Sequence, residues 1–308
     1  MSTGVISALI VGFGSIGQRH CRILTELGAE VAVVSSQSDL KVRRFQSISN
    51  ALSMWSPEYV VIASPTSQHQ SDWLELVRHG FAGSLLIEKP ILANLAEKPP
   101  AFDGAVYVGY NLRYLDIIRR LRQFVENTNV LTADFYNGEY LPDWRPGRDY
   151  RTTSSARRSL GGGVLRDLSH EVDFMHHLLG EPHSLISKVG TLGELQIDTE
   201  DTVRVIGEHQ RGCVSTLTLS YLDRVRRREI TLTTPDTTLR ANLLTGEISD
   251  GFTSASLEVA RDDTFRMMHR EILARHVTTA CTLSEGLAVL RTIEMIEQSS
   301  HEKRWVNR

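Results

Sequence analysis

The segment Gly161–Phe174, GGGVLRDLSHEVDF, places side chains that could move protons directly after three consecutive glycines. Glycine lets the backbone pass close to a cofactor or substrate because it has no Cβ. Asp167 and His170 are three residues apart, a spacing that puts both side chains on one face of a helix. Histidine side chains have an ordinary pKa of about 6.5, so they exchange protons near neutral pH. The segment therefore predicts a general acid or base at His170, with Asp167 orienting it or binding a neighbouring hydroxyl.

Other ionisable residues of this segment leave alternatives open. Glu171 directly follows His170, and spacing alone does not decide which of the two takes the proton. His176 and His177 lie further along beside leucines, where packing or the helix C-terminus explains them better than catalysis. The clustered acids and histidines also allow a metal site, but we expect none because the rest of the sequence supplies a complete alternative chemistry.

A glycine-rich turn near the N-terminus stands between a predicted strand and a predicted helix. The apolar run ISALIV ends at GFGSIG, and a stretch with helical spacing of apolar residues follows. This is the context in which G-x-G-x-x-G binds a dinucleotide: its first glycine permits the tight turn, its second lets the pyrophosphate approach, and its third allows close helix packing. The free N–H groups at the helix start would bind the phosphates. The predicted contacts are Gly12, Gly14, Ser15, Ile16 and Gly17.

The residues after the second predicted strand, EVAVV, bear on the choice between NAD and NADP. An acidic residue at this strand end would bind the ribose hydroxyls of NAD. Here Ser35 and Ser36 occupy the strand end, and the first acid, Asp39, comes later. Three cations follow, namely Lys41, Arg43 and Arg44. Hydroxyls with nearby cations favour a 2′-phosphate, so we expect NADP over NAD; the alternative is that the serines are loop residues and the cations a solvated face.

Predicted strands at 59–64, 84–90 and 105–114 alternate with predicted helices, which indicates a parallel sheet. Ligands bind at the C-terminal strand ends of such sheets. Lys89, fixed between a strand end and Pro90, could reach the nicotinamide or the substrate and stabilise a developing oxyanion; the alternative is an ordinary surface lysine. The other predicted contacts at these ends are Ser64, Thr66, His69 and Glu88 for the cofactor and Asn111 and Arg113 for the substrate.

From about residue 129 the pattern changes to longer runs rich in valine, threonine and isoleucine, with partial alternation. Such runs are typical of a mostly antiparallel sheet with one covered face. A chain of 308 residues is also longer than a typical single domain. We therefore predict an α/β protein with a dinucleotide-binding Rossmann domain at 1–118 and a C-terminal domain, built on a mostly antiparallel sheet, at 119–308.

Residues 145–166 contain six arginines and one acid, Asp149, a local charge of +5 in a chain of formal charge −3. Arginine binds carboxylates and phosphates through two parallel hydrogen bonds. We expect this segment to line the substrate cleft and to bind an anion: a carboxylate, a sugar phosphate or a nucleotide sugar. The alternative is a solvated loop or an oligomer contact. The predicted substrate contacts here are Tyr140, Trp144, Arg145 and Arg148, in addition to Asp167 and His170. A second cluster, at 224–228, is explained as well by edge protection or a subunit contact.

The bulk composition excludes several classes of protein. The formal charge of −3 provides no global basic field for nucleic acid. The apolar runs are far shorter than the ~20 residues that span a bilayer, and no basic residues precede the N-terminal apolar run, as they would in a signal peptide. Three scattered cysteines without metal-like spacing favour a reducing compartment. We expect a cytoplasmic protein without a nucleic-acid or membrane partner.

Three motifs in this order, GFGSIG at 12–17, EKP at 88–90 and GGG before an Asp/His cluster at 161–173, resemble the glucose–fructose oxidoreductase/inositol dehydrogenase (Gfo/Idh/MocA) family. The resemblance covers nearly the whole chain. For the fold, it implies an N-terminal Rossmann domain and a C-terminal α+β domain built on a large open, mostly antiparallel sheet. For the function, it implies hydride transfer between NAD(P) and a hydroxyl carbon of a sugar or cyclitol, a homodimer or homotetramer, and catalytic roles for Lys89, Asp167 and His170. The common family pattern places the histidine four residues after the aspartate, where this chain has Glu171.

The sequence DLSHEVD, with YLPDWRPGRDYR before it, resembles a subgroup from bacterial surface-polysaccharide and nonulosonate-type sugar pathways. Together with the arginine-rich segment, this predicts an oxidoreductase that acts on an anionic or nucleotide-activated sugar. One alternative is a cyclitol dehydrogenase for a neutral polyol, which the arginines disfavour. Another is an NAD(P)-binding sensor without turnover, which the presence of all three catalytic residues disfavours.

Overall fold

The computed structural model describes residues 5–258 and 261–308. Its contacts divide the chain into two compact units, of which the first comprises 1–114 with 261–287 and the second 115–260 with 288–308. The boundary predicted after residue 118 lies four residues beyond this division. The sequence analysis did not anticipate that 261–287 belongs with the first unit. Residues 1–4 of the first predicted domain lie outside the described residues.

Strands and helices follow one another through the described residues in this order. The strands are β1 (Ser7–Val11), β2 (Glu30–Val34), β3 (Arg43–Phe45), β4 (Tyr59–Ile62), β5 (Ser84–Ile87), β6 (Val106–Val108), β7 (Thr132–Gly138), β8 (Ser184–Gly190), β9 (Thr202–Glu208), β10 (Val214–Ser220), β11 (Arg227–Thr233), β12 (Thr238–Asn242), β13 (Glu247–Ser249), β14 (Ser254–Ser256), β15 (Cys281–Thr282) and β16 (Val306–Asn307). The α-helices are α1 (Ser15–Glu26), α2 (Ile48–Met54), α3 (His69–Arg78), α4 (Asp116–Glu126), α5 (Val164–Asp167), α6 (His170–Leu179), α7 (Arg261–Leu273) and α8 (Leu283–Glu302).

The first unit is built on a seven-stranded sheet in the order β15-β6-β5-β4-β1-β2-β3. All neighbouring strands are parallel except β15, which pairs antiparallel with β6. The central strand β4 is buried along its whole length, as expected where helices cover both faces of a parallel sheet. The predicted Rossmann domain is confirmed.

Helix α7 explains why 261–287 belongs to the first unit. Phe265, Met268 and Ile272 recur at helical spacing and are at most 5% exposed. They pack in one core cluster with residues of β1, β2 and β4. An apolar stripe of this spacing stabilises a helix mainly by tertiary packing, and here the core of the first unit provides that packing.

The second unit is built on a nine-stranded sheet in the order β14-β13-β12-β11-β7-β10-β9-β8-β16. Only β7 and β10 pair in parallel among its neighbours in the described part of the chain; the other pairs are antiparallel. Buried and exposed residues alternate along β9, so one face of the sheet is covered and the other is open. The predicted large, mostly antiparallel sheet is confirmed.

The cysteines, the potential metal ligands and the lengths of the helices bear on other kinds of site. Cys21, Cys213 and Cys281 are buried free thiols. Within 5–258 and 261–308, no group of three potential ligands is placed to hold a metal ion. No helix in the same ranges has the length and apolar character required to cross a membrane.

Candidate active site

The turn between β1 and α1 has the geometry that its glycines suggested. Gly12 has φ +92°, and a Cβ there would lie 2.7 Å from the Ser64 nitrogen. A Cβ on Gly17 would lie 2.1 Å from the Gly12 carbonyl oxygen, so α1 can approach the turn only because Gly17 has none. A Cβ on Gly14 would meet nothing within 4 Å. The space beside Gly14, in front of the N-terminus of α1, is therefore open to a ligand.

Two of the cations predicted near the end of β2, Arg43 and Arg44, make different contacts. Arg44 Nη1 donates to the Ser35 carbonyl oxygen at 3.1 Å, so its guanidinium is held at the strand end. Arg43 instead packs over the rings of Phe45 and Trp55, at 5.0 and 5.2 Å from their centroids. Of these two arginines, Arg44 is the one placed at the end of β2.

The loop after β4 is organised by His69. The ring is 1% exposed, with Nε2 3.0 Å from the Ser64 carbonyl oxygen and Nδ1 3.1 Å from that of Pro90. Ser64 Oγ donates to Asp72 at 2.6 Å, and burial raises the pKa of that carboxyl. His69 thus links the ends of β4 and β5 by holding backbone, while Thr66 remains half-buried.

Glu88 and Lys89 follow β5 directly. Glu88 is 9% exposed; its Oε1 lies 2.9 Å from His20 Nε2 and its Oε2 accepts from the Lys89 N–H at 3.3 Å. A Cβ on Gly109 would lie 2.7 Å from Glu88 Oε1. Lys89 itself is half-buried. The predicted cofactor contact Glu88 is therefore enclosed by protein groups, and the half-buried residue at this strand end is Lys89.

Asn111 and Arg113, predicted substrate contacts, are engaged inside the first unit. Asn111 Nδ2 donates to Thr264 Oγ1 at 2.6 Å, and Arg113 Nη1 forms an ion pair with Glu285 at 3.1 Å. Their exposed fractions are 4% and 1%. Both partners come from the segment that joins this unit late in the sequence, so these side chains bind that segment to the sheet.

In the second unit, two glycines of the run at 161–163 lie in close contact with other residues of the protein. A Cβ on Gly162 would lie 1.9 Å from the Ser154 carbonyl oxygen, and one on Gly163, at φ +116°, would lie 2.2 Å from the Glu200 carboxylate. Glu200 Oε1 in turn accepts from the Leu165 N–H at 3.1 Å. The sequence analysis assigned this close approach to a cofactor or substrate. The structure gives it to Glu200 and Ser154, because their loops pack against the start of α5.

Asp167 and His170 do not lie on one continuous helix. Asp167 ends α5 and His170 begins α6, since Leu168 between them adopts a non-helical conformation. Both side chains are half-buried. The argument that a helical spacing of three brings them to one face therefore does not hold.

Tyr221 contacts the predicted site residue Asp167 and was not itself among the residues predicted from the sequence. Its hydroxyl donates to Asp167 Oδ2 at 2.6 Å, and its ring packs edge-on against Trp144 at 5.1 Å between centroids. Burial, followed by the charge of Asp167, raises the pKa of Tyr221 well above its ordinary value, so the phenol keeps the proton that it donates. A tyrosine directly after strand β10 was the available signal. Tyr221 fixes one oxygen of the Asp167 carboxylate.

Glu171 and His170 occupy different environments. Glu171 Oε1 accepts from Arg228 Nε at 2.6 Å, and the Glu171 side chain is 2% exposed. Its Oε2 is also buried, without a hydrogen-bond partner among the described residues. His170, in contrast, is half-buried. Glu171 is thus held in an ion pair away from solvent, which favours His170 as the group that meets a substrate.

The arginine-rich segment divides into paired and unpaired members. Arg151 forms an ion pair with Asp149 at 2.8 Å, and Arg166 forms one with Glu297. Arg145 and Arg148 are exposed and form no ion pair within the described residues. Together with Trp144 and Tyr150 they line a small depression in the second unit. Tyr140, the remaining predicted contact, lies under the Arg224 guanidinium, 3.5 Å from it.

A wider pocket of about 510 Å³ lies at the other end of β10, where His183, Glu208, His209 and Cys213 are among its lining residues. Asp167 is bonded to Tyr221, after the last residue of this strand, whereas the pocket includes Val214, its first residue. Seven strand residues span about 20 Å, so this pocket is separate from the Asp167 site.

We expect His209, in that pocket, to make the fold sensitive to acid. Burial lowers the pKa of His209 from its ordinary value to about 4. Below pH ~6.5 the unfolded chain takes up a proton that the folded chain does not. This proton uptake at His209 should lower the free energy of unfolding by about 2 kcal/mol at pH 5 relative to pH 7. Urea denaturation at both pH values should show this loss shrink in His209→Gln. The exposed His183→Gln is the matched control, and an unchanged pH dependence in His209→Gln would contradict the expectation.

Two family models match the chain. The model described as the oxidoreductase family, NAD-binding Rossmann fold, matches 6–102, and the GFO/IDH/MocA C-terminal domain matches 118–240. No curated protein matches the chain.

Solved structures share the fold over nearly the full length. The WlbA dehydrogenase from Bordetella pertussis, in complex with NADH and UDP-GlcNAcA, is 16% identical with a TM-score of 0.79, covering 99% of both chains. A myo-inositol 2-dehydrogenase from Lactobacillus plantarum is 16% identical with a TM-score of 0.78 over 99% of both chains. A levoglucosan dehydrogenase in complex with NADH is 15% identical with a TM-score of 0.83 over 99% of both chains. At these identities the likeness shows the fold alone, but the family models extend over both units: the chain belongs to the Gfo/Idh/MocA family of NAD-binding oxidoreductases.

Proposed function

We propose that this oxidoreductase transfers hydride between NAD(P) and a hydroxyl carbon of an anionic or nucleotide-activated sugar, as in bacterial glycan biosynthesis. The observation that carries the choice of sugar is the pair of exposed arginines, Arg145 and Arg148, beside Trp144 and Tyr150. An exposed guanidinium can bind a carboxylate or a phosphate through two hydrogen bonds. Neighbouring aromatic faces can pack on a sugar ring or a base. A neutral polyol would leave both charges unused.

The catalytic roles follow from the chemistry of alcohol oxidation. His170 accepts the hydroxyl proton, as its half-buried position permits. Lys89 donates to the same oxygen and stabilises the negative charge that develops there. Asp167, whose Oδ2 accepts from the Tyr221 hydroxyl, orients His170 or binds a neighbouring sugar hydroxyl. When bound, the nicotinamide supplies the hydride chemistry, which the protein positions.

The residues of the glycine turn fit a dinucleotide. The open space beside Gly14 and the N-terminus of α1 suit a pyrophosphate, because exposed backbone N–H groups and the helix dipole both favour an anion. Ser15 and Ile16 supply the first N–H groups of this helix. The proposed pyrophosphate contacts are therefore Gly12, Gly14, Ser15, Ile16 and Gly17.

Reversing the charge of Arg145 or Arg148 should raise KM for an anionic sugar nucleotide. A charge-assisted hydrogen bond contributes roughly 1.5–3 kcal/mol, so we expect Arg145→Glu and Arg148→Glu to raise KM for UDP-GlcNAcA about 10- to 100-fold. The Kd of NADH should not change. Arg151→Glu is the matched control, because Arg151 is exposed in the same segment but already paired with Asp149. An unchanged KM, or efficient turnover of myo-inositol, would instead favour a neutral polyol substrate.

We also propose NADP as the preferred cofactor, on the strength of Arg44 at the end of β2 beside Ser35 and Ser36. Titration followed by nicotinamide fluorescence should give a lower Kd for NADPH than for NADH, and Arg44→Ala should remove that difference. Arg43→Ala is the control, since Arg43 packs over the rings of Phe45 and Trp55. The two relatives named above with a bound cofactor carry NADH. Tighter NADH binding here would show that Arg44 does not meet a 2′-phosphate.

The family resemblance further leads us to propose a homodimer or homotetramer, acting in the cytoplasm on a small-molecule sugar. The three free cysteines are consistent with a reducing compartment. Light scattering on the eluting protein would measure the oligomer, and a monomeric mass would contradict the assembly proposed.

A further inference from the structure

Four side chains of the first unit form an unbroken series of hydrogen bonds that ends beside Lys89. The Tyr59 hydroxyl lies 2.9 Å from His269 Nδ1, His269 Nε2 lies 2.9 Å from His20 Nδ1, and His20 Nε2 lies 2.9 Å from Glu88 Oε1. The tyrosine and both histidines are at most 1% exposed, and Glu88 is 9% exposed. These groups come from β4, α7, α1 and the end of β5. We call this series the Tyr59–Glu88 chain.

One arrangement of protons satisfies every polar atom in the Tyr59–Glu88 chain. Burial raises the pKa of Tyr59, so the phenol keeps its proton, and its hydrogen bond to His269 is its only one among the described residues. Burial lowers the pKa of His269, so that imidazole is neutral. Since a buried O–H needs an acceptor, Tyr59 donates to Nδ1 of His269. That ring then donates from Nε2 to His20, which donates from its own Nε2 to Glu88.

We propose that Tyr59, His269 and His20 are positioning residues for the catalytic lysine. Their hydrogen bonds hold the Glu88 carboxylate in one orientation, and that carboxylate accepts from the Lys89 backbone N–H at 3.3 Å. The inference rests on the role proposed for Lys89.

The packing around Glu88 leaves its carboxylate little freedom on the opposite side. A Cβ on Gly109 would lie 2.7 Å from Glu88 Oε1 and 3.1 Å from Oε2. The carboxylate therefore occupies space that a side chain at position 109 would need, and the imidazole of His20 also contacts it. Loss of the His20 donor would leave a charged oxygen buried without its hydrogen bond, which favours a shifted carboxylate. Lys89 would then lose the acceptor of its backbone N–H.

The backbone amide of Lys89 reports this positioning without any need for turnover. The chain contains five lysines, so selective ¹⁵N-lysine labelling of the full-length protein gives five backbone amide signals, and Lys89→Arg identifies the one in question. We expect Tyr59→Phe and His20→Leu to shift the Lys89 signal and to leave the other four unchanged. His20→Gln should restore most of the original shift, because its side-chain amide can donate to Glu88.

Tyr114→Phe is the matched control. Tyr114, like Tyr59, is a buried tyrosine of the first unit. Its hydroxyl donates to the Glu271 carboxylate at 2.5 Å. Its loss should lower the melting temperature about as much as Tyr59→Phe does while leaving the Lys89 signal in place. A shift as large in Tyr114→Phe, or none in Tyr59→Phe and His20→Leu, would reduce the Tyr59–Glu88 chain to a purely structural element.

Kinetics with UDP-GlcNAcA complete the test. We expect His20→Leu to lower kcat at least tenfold, with KM and the Kd of NADH within about twofold of the unmodified protein, and His20→Gln to regain most of the loss. Full kcat in His20→Leu alongside inactive Lys89→Met would overturn the positioning role alone. Full turnover by Lys89→Met would overturn the role of Lys89, while the amide shifts would still show whether the chain holds this strand end.

Discussion

Replacing His170 by alanine should lower kcat about 10²- to 10⁴-fold, the range that a general acid or base contributes. Glu171→Gln should leave kcat within a few-fold. The reason is the different surroundings of the two residues: Glu171 is buried in an ion pair with Arg228, whereas His170 is half-buried. The measurement is the pH–rate profile of both variants with saturating cofactor and UDP-GlcNAcA. The profile of Glu171→Gln should retain the ionisation that His170→Ala loses.

Thermal unfolding separates this result from a loss of structure. Glu171→Gln removes the charge that compensates Arg228, and breaking one partner of a buried ion pair can cost about 3–5 kcal/mol. We therefore expect a lower melting temperature in Glu171→Gln and little change in His170→Ala. If Glu171→Gln lost turnover while His170→Ala kept it, the family position four residues after Asp167 would hold the acid or base instead.

Replacing Lys89 by methionine should lower kcat about 10²- to 10³-fold, the effect of removing one donor to a developing oxyanion. Methionine keeps the length of the stem but has no ammonium group. Lys89→Arg should recover part of the rate, because a guanidinium is also a cationic donor but has a different shape. Steady-state kinetics measures both, and the Kd of NADH should change little if the lysine acts on the reacting oxygen.

The sequence offers an unusual control for this experiment. A second Glu-Lys-Pro, at 97–99, lies in the same unit, and its Lys98 is exposed in a loop outside the strands. Lys98→Met should have full activity, because the effect depends on the position of Lys89 at the end of β5 and not on the tripeptide. Equal losses at both lysines would argue for a general electrostatic effect rather than catalysis.

Local patterns were sufficient to predict both architectures. The apolar run of β1, the glycine turn and the helical spacing of α1 are adjacent in sequence, so the dinucleotide-binding unit could be predicted from one short stretch. The alternating, β-branched runs likewise predicted the mostly antiparallel sheet, and the family resemblance predicted its large size. Lys89 could be placed at a strand end because the residues of β5 directly precede it.

The interiors of the two units required contacts between residues distant in sequence. Asn111 and Thr264 are 153 residues apart, and Arg113 and Glu285 are 172 apart, so the sequence did not show that these two predicted substrate contacts form hydrogen bonds with a late segment. Arg228 pairs with a glutamate 57 residues away. No periodicity in the sequence signals such pairs.

The sequence by itself determined which residue types follow which strand, and with that the family, the glycine turn and the candidates Lys89, Asp167 and His170. Hydrophobic periodicity and turn chemistry act over a few residues, so they can be seen in the sequence alone. Only the tertiary structure decided that Glu200 occupies the space at Gly163 and that Tyr221 holds Asp167. Hydrogen bonds and close packing depend on three-dimensional proximity, which the chain creates only when its distant segments fold together.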